Sequence, residues 1–569
     1  MTTPGPPVDK SFLADEGIRD SPSTHKVREW RRWASVFLSS SGEGNRMQRG
    51  MQSRHLMMIA IGGTIGTGIF LSAGSAIALA GPGSTLLAYG VVGFFVYTVV
   101  ITLGEMSSMY PVSGAFSVYG ARFVSPALGF TLGWNYWLQW CLAIIYDELT
   151  AAAVIFQYWT PRLLPWHWAI IIVVPIFLLQ LVNVRVYGES EYWFATIKVL
   201  MIIIFILVGL IYDWGGIKNH PGPGLSNFQH AQGFVGGFPA FAQTFVFAFF
   251  SFGGIELVAV AAGESAKPYK AVPRAIKATF FRILIFYIFT ILTIGLCINY
   301  QDPTLLTASF NSDVAASPLT VVFKRAGFGA AAHIVNAVLL TAVLSATNSC
   351  FYASSRMLMS LAHSGYAPHI FGWVNRTGVP VPALVMALAF SSLTFLTTIW
   401  GKGIVFTWLL NITGISALLV WTSIGLISLR FRQAYKSRGL SLSDLPYRQP
   451  LYPILPVGVI VLGTLMFIAQ GYAAVRQQPF EVKNIIATYI GVALYLILYL
   501  GYSVFERFYE RKWKHFVPVS EIDFVTDRVW NPGEGAAVRE RDQQAMRALG
   551  GKSAGLRSVF RSWVKRHVY

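Results

Sequence analysis

Charge is scarce in this sequence. Asp, Glu, Lys and Arg make up 12% of its 569 residues, against roughly 25% in soluble domains, while 54% of the chain is hydrophobic and 15% aromatic. So little charge among so much apolar surface excludes an ordinary soluble domain and indicates a membrane protein. Cysteine is scarce too: Cys141, Cys297 and Cys350 lie in or beside apolar stretches, which gives no disulfide framework. No HExxH, paired CxxC or GxxxxGK[ST] occurs, so the sequence supports neither a zinc site nor an ATP-driven pump, and no cofactor or metal is expected. The apolar stretches show no pairing of nucleophile and base, which argues against an enzyme.

What the sequence has in abundance is apolar runs near the ~20 residues that cross a bilayer core. Twelve are countable: Met57–Ala80, Ser84–Leu103, Leu128–Tyr158, Trp166–Val182, Phe194–Ile211, Ala240–Ala262, Phe280–Ile298, Ile334–Tyr352, Ala383–Trp400, Ile404–Leu429, Ile454–Ala474 and Ile485–Phe505. They are continuous rather than alternating, which selects helices over barrel strands. The expected fold is an all-α polytopic bundle with 12 transmembrane helices over residues 56–505, flanked by polar tails at 1–55 and 506–569. No cleaved signal peptide is visible in the first tail.

If both tails are cytosolic, the inner connections carry fifteen Lys and Arg, among them Lys198, Arg282, Arg356 and Arg432, and the outer ones seven. That bias favours the assignment. It also accounts for the net charge of +18 through anionic lipid headgroups, without nucleic acid.

One run contradicts its own helix. Residues 61–70 read IGGTIGTGIF, and each glycine costs about 1 kcal/mol relative to alanine in a helix interior. Close helix packing is one explanation. The other is a helix broken at mid-membrane whose N–H groups face a cavity and bind an anion. Five spans later Gly253 and Gly254 interrupt FAFFSFGGIELVAVAAGE at its middle. Because five is odd, the second set of five helices enters the membrane from the opposite face. Paired interrupted helices opening two inverted halves point to a transporter's central site.

The runs MIAIGGTIGTGIF, FSFGGIELVAVAAGESAKPYKAVPRAI, LSATNSCFYASSRMLMSLAHSGYAP and FTWLLNITG resemble the fungal amino-acid permeases of the amino acid–polyamine–organocation superfamily, from about Arg49 to Asp523. The resemblance implies an inverted 5+5 repeat like that of the bacterial leucine transporter, with repeat one at 57–211, repeat two at 240–429 and two extra helices at 454–505. It implies proton-coupled uptake of amino acids across the plasma membrane. Carried onto this sequence, it places Gly66, Thr67 and Gly68 at the substrate carboxylate, and the carbonyls around Thr64, Phe250 and Gly253 at the ammonium. Phe250 stands where the family has an aromatic gate. Glu256 is a candidate for proton or substrate handling, with a protonated carboxyl hydrogen-bonded between helices as the competing role, and Lys198 is a candidate for proton coupling, with snorkelling to the headgroups as its competing role.

Span 3 carries adjacent acids, Asp147 and Glu148, where the family usually has one glutamate. Counting from Trp140 selects Asp147; counting back from Trp159 selects Glu148, the preferred choice for substrate binding and proton coupling. Neighbours on a helix point about 100° apart, so one of the two faces the cavity. Two acids here, with Asn411 and Thr413 in FTWLLNITG, suit a cationic side chain and lean towards lysine and arginine. WNYWLQW looks more like the broad-specificity branch, so a general or neutral permease stays open. So does a non-transporting amino-acid sensor. Lys10, Lys26, Lys512 and Lys514 in the tails are candidate ubiquitin acceptors for a regulatory ligase.

Overall fold

A computed structural model of the protein describes residues 49–63, 65–66, 68–151, 165–217, 221–303, 305, 317–328, 331–393, 402–476, 482–510 and 516–550. Helical residues occupy each of the twelve apolar runs, as they must where no water pairs the backbone. Among the described residues, eight helical segments are long and apolar enough to cross a membrane, and Ile170–Val182 and Val381–Ser391 are apolar but shorter.

The chain enters through α1 (Ser53–Met58) and a π-helical turn, Ile59–Gly63. Ile65 and Gly66 lie outside any helix, and a second π turn, Gly68–Ser72, leads into α2 (Ala73–Met109). Two of the expected spans meet inside α2, at Gly81, whose φ of 79° before Pro82 sharply redirects the chain. A Cβ there would stand 2.7 Å from the Gln232 carbonyl oxygen, so position 81 demands glycine on both counts. Next come α3 (Ala115–Phe123), α4 (Pro126–Ala151), α5 (Pro165–Val182) and α6 (Val184–Asp213). The sixth run is split into α7 (Gly237–Phe252) and α8 (Leu257–Ala262). Then α9 (Pro268–Phe281) continues through a π segment, Arg282–Phe289, into α10 (Thr290–Cys297). The remaining spans are α11 (Ala331–His363), α12 (Val381–Ser391), α13 (Lys402–Ser437), α14 (Ile454–Arg476) and α15 (Val482–Phe505), and α16 (Glu534–Gly550) follows them.

At the centre, α4 lies along α11 and α13, while α7 packs on α2 and α13. The last two spans, α14 and α15, pack on α13 from outside. Their outward stripes, Val457, Val461, Leu465 and Ile468 on one and Leu496, Ile497, Leu500 and Val504 on the other, are exposed. The same pattern, spaced three and four apart, marks α6 through Leu200, Ile203, Ile204, Leu207 and Ile211. Apolar side chains left uncovered at helical spacing are a lipid-facing surface.

Several sequence expectations need correction. Helix ends run past the apolar runs, as where Phe194–Ile211 begins ten residues inside α6, because hydropathy cannot register charges neutralised in the interior. Lys198, Arg282, Arg356 and Arg432, counted above with the inner connections, are all buried. Without those four the inner count falls from fifteen to eleven. Arg432 grips Glu105 through Nε at 2.9 and 3.0 Å and also through Nη2, with Gln449 donating to the same carboxylate at 2.9 Å. Arg356 Nε donates to Glu264 at 3.2 Å, and Tyr352 donates to the other oxygen at 2.8 Å. Arg282 donates to the Ala60 carbonyl at 3.2 Å and to the Tyr287 hydroxyl at 2.9 Å. Buried charges persist when paired in this way.

The C-terminal tail is not simply a polar extension: beyond residue 515 it docks across one end of the bundle. Val517 N donates to the Val124 carbonyl at 2.7 Å and Val529 N to the Met109 carbonyl at 2.9 Å. Tyr110 Oη donates to Phe524 O at 3.2 Å, Arg122 pairs with Asp527 at 2.7 Å, and Trp530 Nε1 donates to Asp444 O at 2.8 Å. This strap joins α3 of the first half to the segment after α13 in the second. Of the tail lysines singled out above, Lys10, Lys26, Lys512 and Lys514 all lie outside the described residues.

Candidate substrate site

The two interrupted helices lie at the centre. In the first, the gap between Gly63 and Gly68 frees carbonyls that other helices take up. Lys198 Nζ donates to Gly62 O at 2.9 Å, Ser349 Oγ to Gly63 O at 3.3 Å, and Ile65 N turns back to Gly62 O at 3.1 Å. Some of the glycines are there for packing as well. A Cβ on Gly62 would sit 2.6 Å from the Ala195 Cβ, and one on Gly68 only 2.5 Å from the Ser251 Cα. The two explanations for IGGTIGTGIF thus apply to different residues: Ile65 and Gly66 stand outside any helix, and the flanking Gly62 and Gly68 pack where a methyl group would not fit.

In the second helix, Gly253 leaves α7 with ψ at 143° and Gly254 has φ at +82°, a region costly for any residue with a Cβ. Gly253 N donates to Phe250 O at 3.2 Å and Leu257 N to Gly254 O at 3.1 Å. The turn is therefore largely self-satisfied, with the Phe250 carbonyl at the end of α7 as one of its acceptors. Tyr287 Oη anchors the same stretch by donating to Ser251 O at 2.8 Å. Beyond the break, Glu256 is buried and accepts from Trp421 Nε1 at 2.9 Å. Trp421 itself lies between Phe95 and Phe249, with ring centroids at 6.2 and 6.3 Å.

Between the breaks lies a cavity of about 590 Å³, counting its open mouth. Gly66 and Gly68 form one wall and Phe249, Phe250, Gly253 and Gly254 another. α4 contributes Gln139, Trp140 and Ala143, α11 contributes Ala346 and Cys350, and α13 contributes Thr413 and Ala417. Five residues singled out from sequence, Gly66, Gly68, Phe250, Gly253 and Thr413, thus line one space. Thr64 and Thr67 lie outside the described residues. Asp147 and Glu148 continue α4 two and a half turns beyond Gln139 as helical backbone, and their side chains also lie outside the described ones.

Of the coupling candidates, Glu256 and Lys198 are not among the described residues that line the cavity. Glu256 is held behind it by Trp421. Lys198 is fully buried on the far side of the first break, donating to Gly62 O and, at 2.7 Å, to Ser345 Oγ. Headgroup snorkelling, the competing role set out for this lysine, does not fit a side chain inside the bundle. Sequence reading missed Gln139, Trp140, Ala346, Cys350 and Ala417 around the cavity, and Glu191 beside Lys198. A signal for the cavity set was available: Gln139/Ala143, Ala346/Cys350 and Thr413/Ala417 are each four apart, one turn on one helix face. Glu191 gives no such signal.

The arrangement sets the start of the π turn at Gly68 and the end of α7 at Phe250 and Gly253 around one cavity. Relatives carry the same chain. A lysine-specific permease of Escherichia coli (strain K12), LysP, is 43% identical over 490 residues, 86% of this chain and 99% of its own. The histidine permease HisP of Lactococcus lactis subsp. cremoris (strain MG1363) is 39% identical over 85% of this chain and 99% of its own. The general amino-acid permease GAP1 of Saccharomyces cerevisiae (strain ATCC 204508 / S288c) is 36% identical over 84% and 80%. Among solved structures, a manganese transporter of Eremococcus coleocola aligns with a TM-score of 0.48 at 14% identity, over 81% of this chain and 95% of its own. The sequence profile of the amino acid permeases spans residues 55–515, breaks and cavity included, and this chain belongs to that family of multi-pass membrane transporters, not to the enzymes.

Proposed function

We propose that this permease takes up amino acids across the plasma membrane together with protons, with both termini in the cytosol, and that it prefers basic amino acids. The observation that carries the reading is the cavity between the two interrupted helices, with the start of the π turn at Gly68 on one wall and the end of α7 on the other. The substrate carboxylate meets the N–H groups around Gly66, Thr67 and Gly68, and its ammonium meets the carbonyls around Thr64 and Phe250–Gly253. Thr413 and, from α4, Glu148 stand at the side-chain end, while Glu256 and Lys198 serve the proton. Two inverted repeats, 57–211 and 240–429, form the transporting unit; helices 454–505 complete the twelve crossings, and residues 1–55 and 506–569 are the cytosolic extensions.

The leaning to lysine and arginine draws on the adjacent acids in α4 and on lysine-specific relatives, including one from Saccharomyces cerevisiae at 37% identity. The general permease GAP1 favours broad specificity as a second reading. Uptake of radiolabelled lysine into cells lacking their own permeases, with the other amino acids as competitors, tests both. Lysine and arginine are expected to compete best, and a protonophore is expected to abolish accumulation. Accumulation that survives the protonophore or requires sodium refutes the coupling ion, and equal competition by neutral amino acids refutes the basic preference.

A further inference from the structure

Glu191 and Lys198 lie seven residues apart on α6, two turns along one face, and both side chains are 0% exposed. Lys198 Nζ donates to Gly62 O at 2.9 Å and to Ser345 Oγ at 2.7 Å. Ser345 Oγ in turn donates to Glu191 Oε1, which lies 3.9 Å from the ammonium. The donors run in one direction, from lysine through serine to carboxylate. The other oxygen, Oε2, is buried and makes no close hydrogen bond among the described residues, with the Asn348 and Ser349 side chains beside the carboxyl.

The surroundings are well defined. From the broken helix, Gly63 faces the carboxylate, and a Cβ there would stand 3.5 Å from Oε1. α11 presents Ser345, Asn348 and Ser349, none of them titratable. The Tyr187 hydroxyl, one turn back on α6, is tied to Ser349 at 3.2 Å. Tyr187 stacks on Tyr352 at 4.2 Å, and behind that pair lie Glu264 and Arg356. His55 of α1 packs against Gly188, and Arg282 holds Ala60 O from the π segment.

We propose that Glu191 positions Lys198 and receives its proton: the proton passes through Ser345, and loss of the ammonium weakens the charge-assisted bond to the Gly62 carbonyl and with it the hold on the first half of the broken helix. One N–H bond at Nζ breaks as an O–H bond forms on Ser345, whose own hydroxyl proton leaves for Glu191 Oε1. Ammonium and carboxylate become amine and carboxylic acid with the total charge unchanged, and the acid gives up its proton when water reaches it. This rests on the proton-coupled reading above and adds the acceptor that Lys198 needs. The neutral pair is accessible because each buried ion carries a large desolvation cost.

The test uses the full chain in proteoliposomes with radiolabelled lysine and an imposed pH gradient. For Glu191→Gln, which keeps the volume and still accepts from Ser345, gradient-driven accumulation is expected to be lost and the dependence of uptake on external pH flattened, with a smaller loss in lysine counterflow. Ser345→Ala, which breaks the relay at another residue, is expected to lose accumulation in the same way, and Glu191→Asp to recover part of it. Wild-type accumulation with a wild-type pH profile in Glu191→Gln overturns the proposal while leaving proton coupling intact. Should that variant not reach the membrane, wild-type accumulation by Ser345→Ala overturns it instead. If the wild-type protein itself ignores the gradient, coupling fails and the proposal with it, an outcome visible before any variant is made.

Discussion

The two helix breaks face each other across one cavity, yet they are held in different ways. Carbonyls freed at the first are taken by side chains from other helices: Lys198 on Gly62, Ser349 on Gly63 and Arg282 on Ala60. The second closes mostly on itself, Gly253 N to Phe250 O and Leu257 N to Gly254 O, around one positive φ. A break satisfied from outside changes when its neighbours move or change charge; a self-satisfied turn keeps its shape. The expected consequence is that the first helix is the one whose shape responds and the second the one that holds.

Three substitutions sharpen or break that contrast. The largest effect is expected from Lys198→Met, which leaves the Gly62 carbonyl with Ile65 N alone and leaves Glu191 without its cation. Removing one partner of a buried pair costs about 3–5 kcal/mol, so the melting temperature of the purified protein should drop clearly and uptake should vanish; an unchanged melting temperature would show that the first break does not depend on that donor. Next, Gly68→Ala places a methyl group 2.5 Å from the Ser251 Cα, and overpacking of this kind costs about 1–3 kcal/mol. Because it pushes the two breaks apart, lysine uptake should fall further than the melting temperature suggests. Proportional losses would mean that the contact serves stability alone. The smallest effect is expected from Gly254→Ala, whose φ of +82° costs a residue with a Cβ about 1–2 kcal/mol. Stability should fall by that amount with substrate affinity little changed; a large loss of affinity would make the second break as adaptable as the first.

Much of this architecture is legible in the sequence because its signals are local. An uninterrupted apolar run of span length, or a glycine pair in the middle of one, can be read without knowing what lies beside it. The cavity was half legible: the glycines, Thr413, Gln139, Trp140, Ala346 and Cys350 all stand in recognisable segments, but which side chains of α4 and α11 face the cavity is not decided until those two helices are brought together. The buried ion pairs were not legible. Glu105 and Arg432 are 327 positions apart, and an arginine near a helix end is indistinguishable in sequence from one that meets the headgroups. Glu191 stayed hidden because Ser345, which joins it to Lys198, comes from 154 positions away, although Lys198 itself follows two turns along the same helix.

The strap was invisible for another reason: it bonds largely to backbone carbonyls, which every residue has. Its consequence concerns the order in which the protein is made. Tyr110 and Phe524 meet across 414 positions of sequence, and Met109, Val124 and Asp444 wait for donors supplied by residues 517–530. As the helices enter the bilayer one after another during synthesis, these contacts must wait until residues 517–530 have left the ribosome, so the seam between early and late helices is tied only after all the helices that flank it have been made.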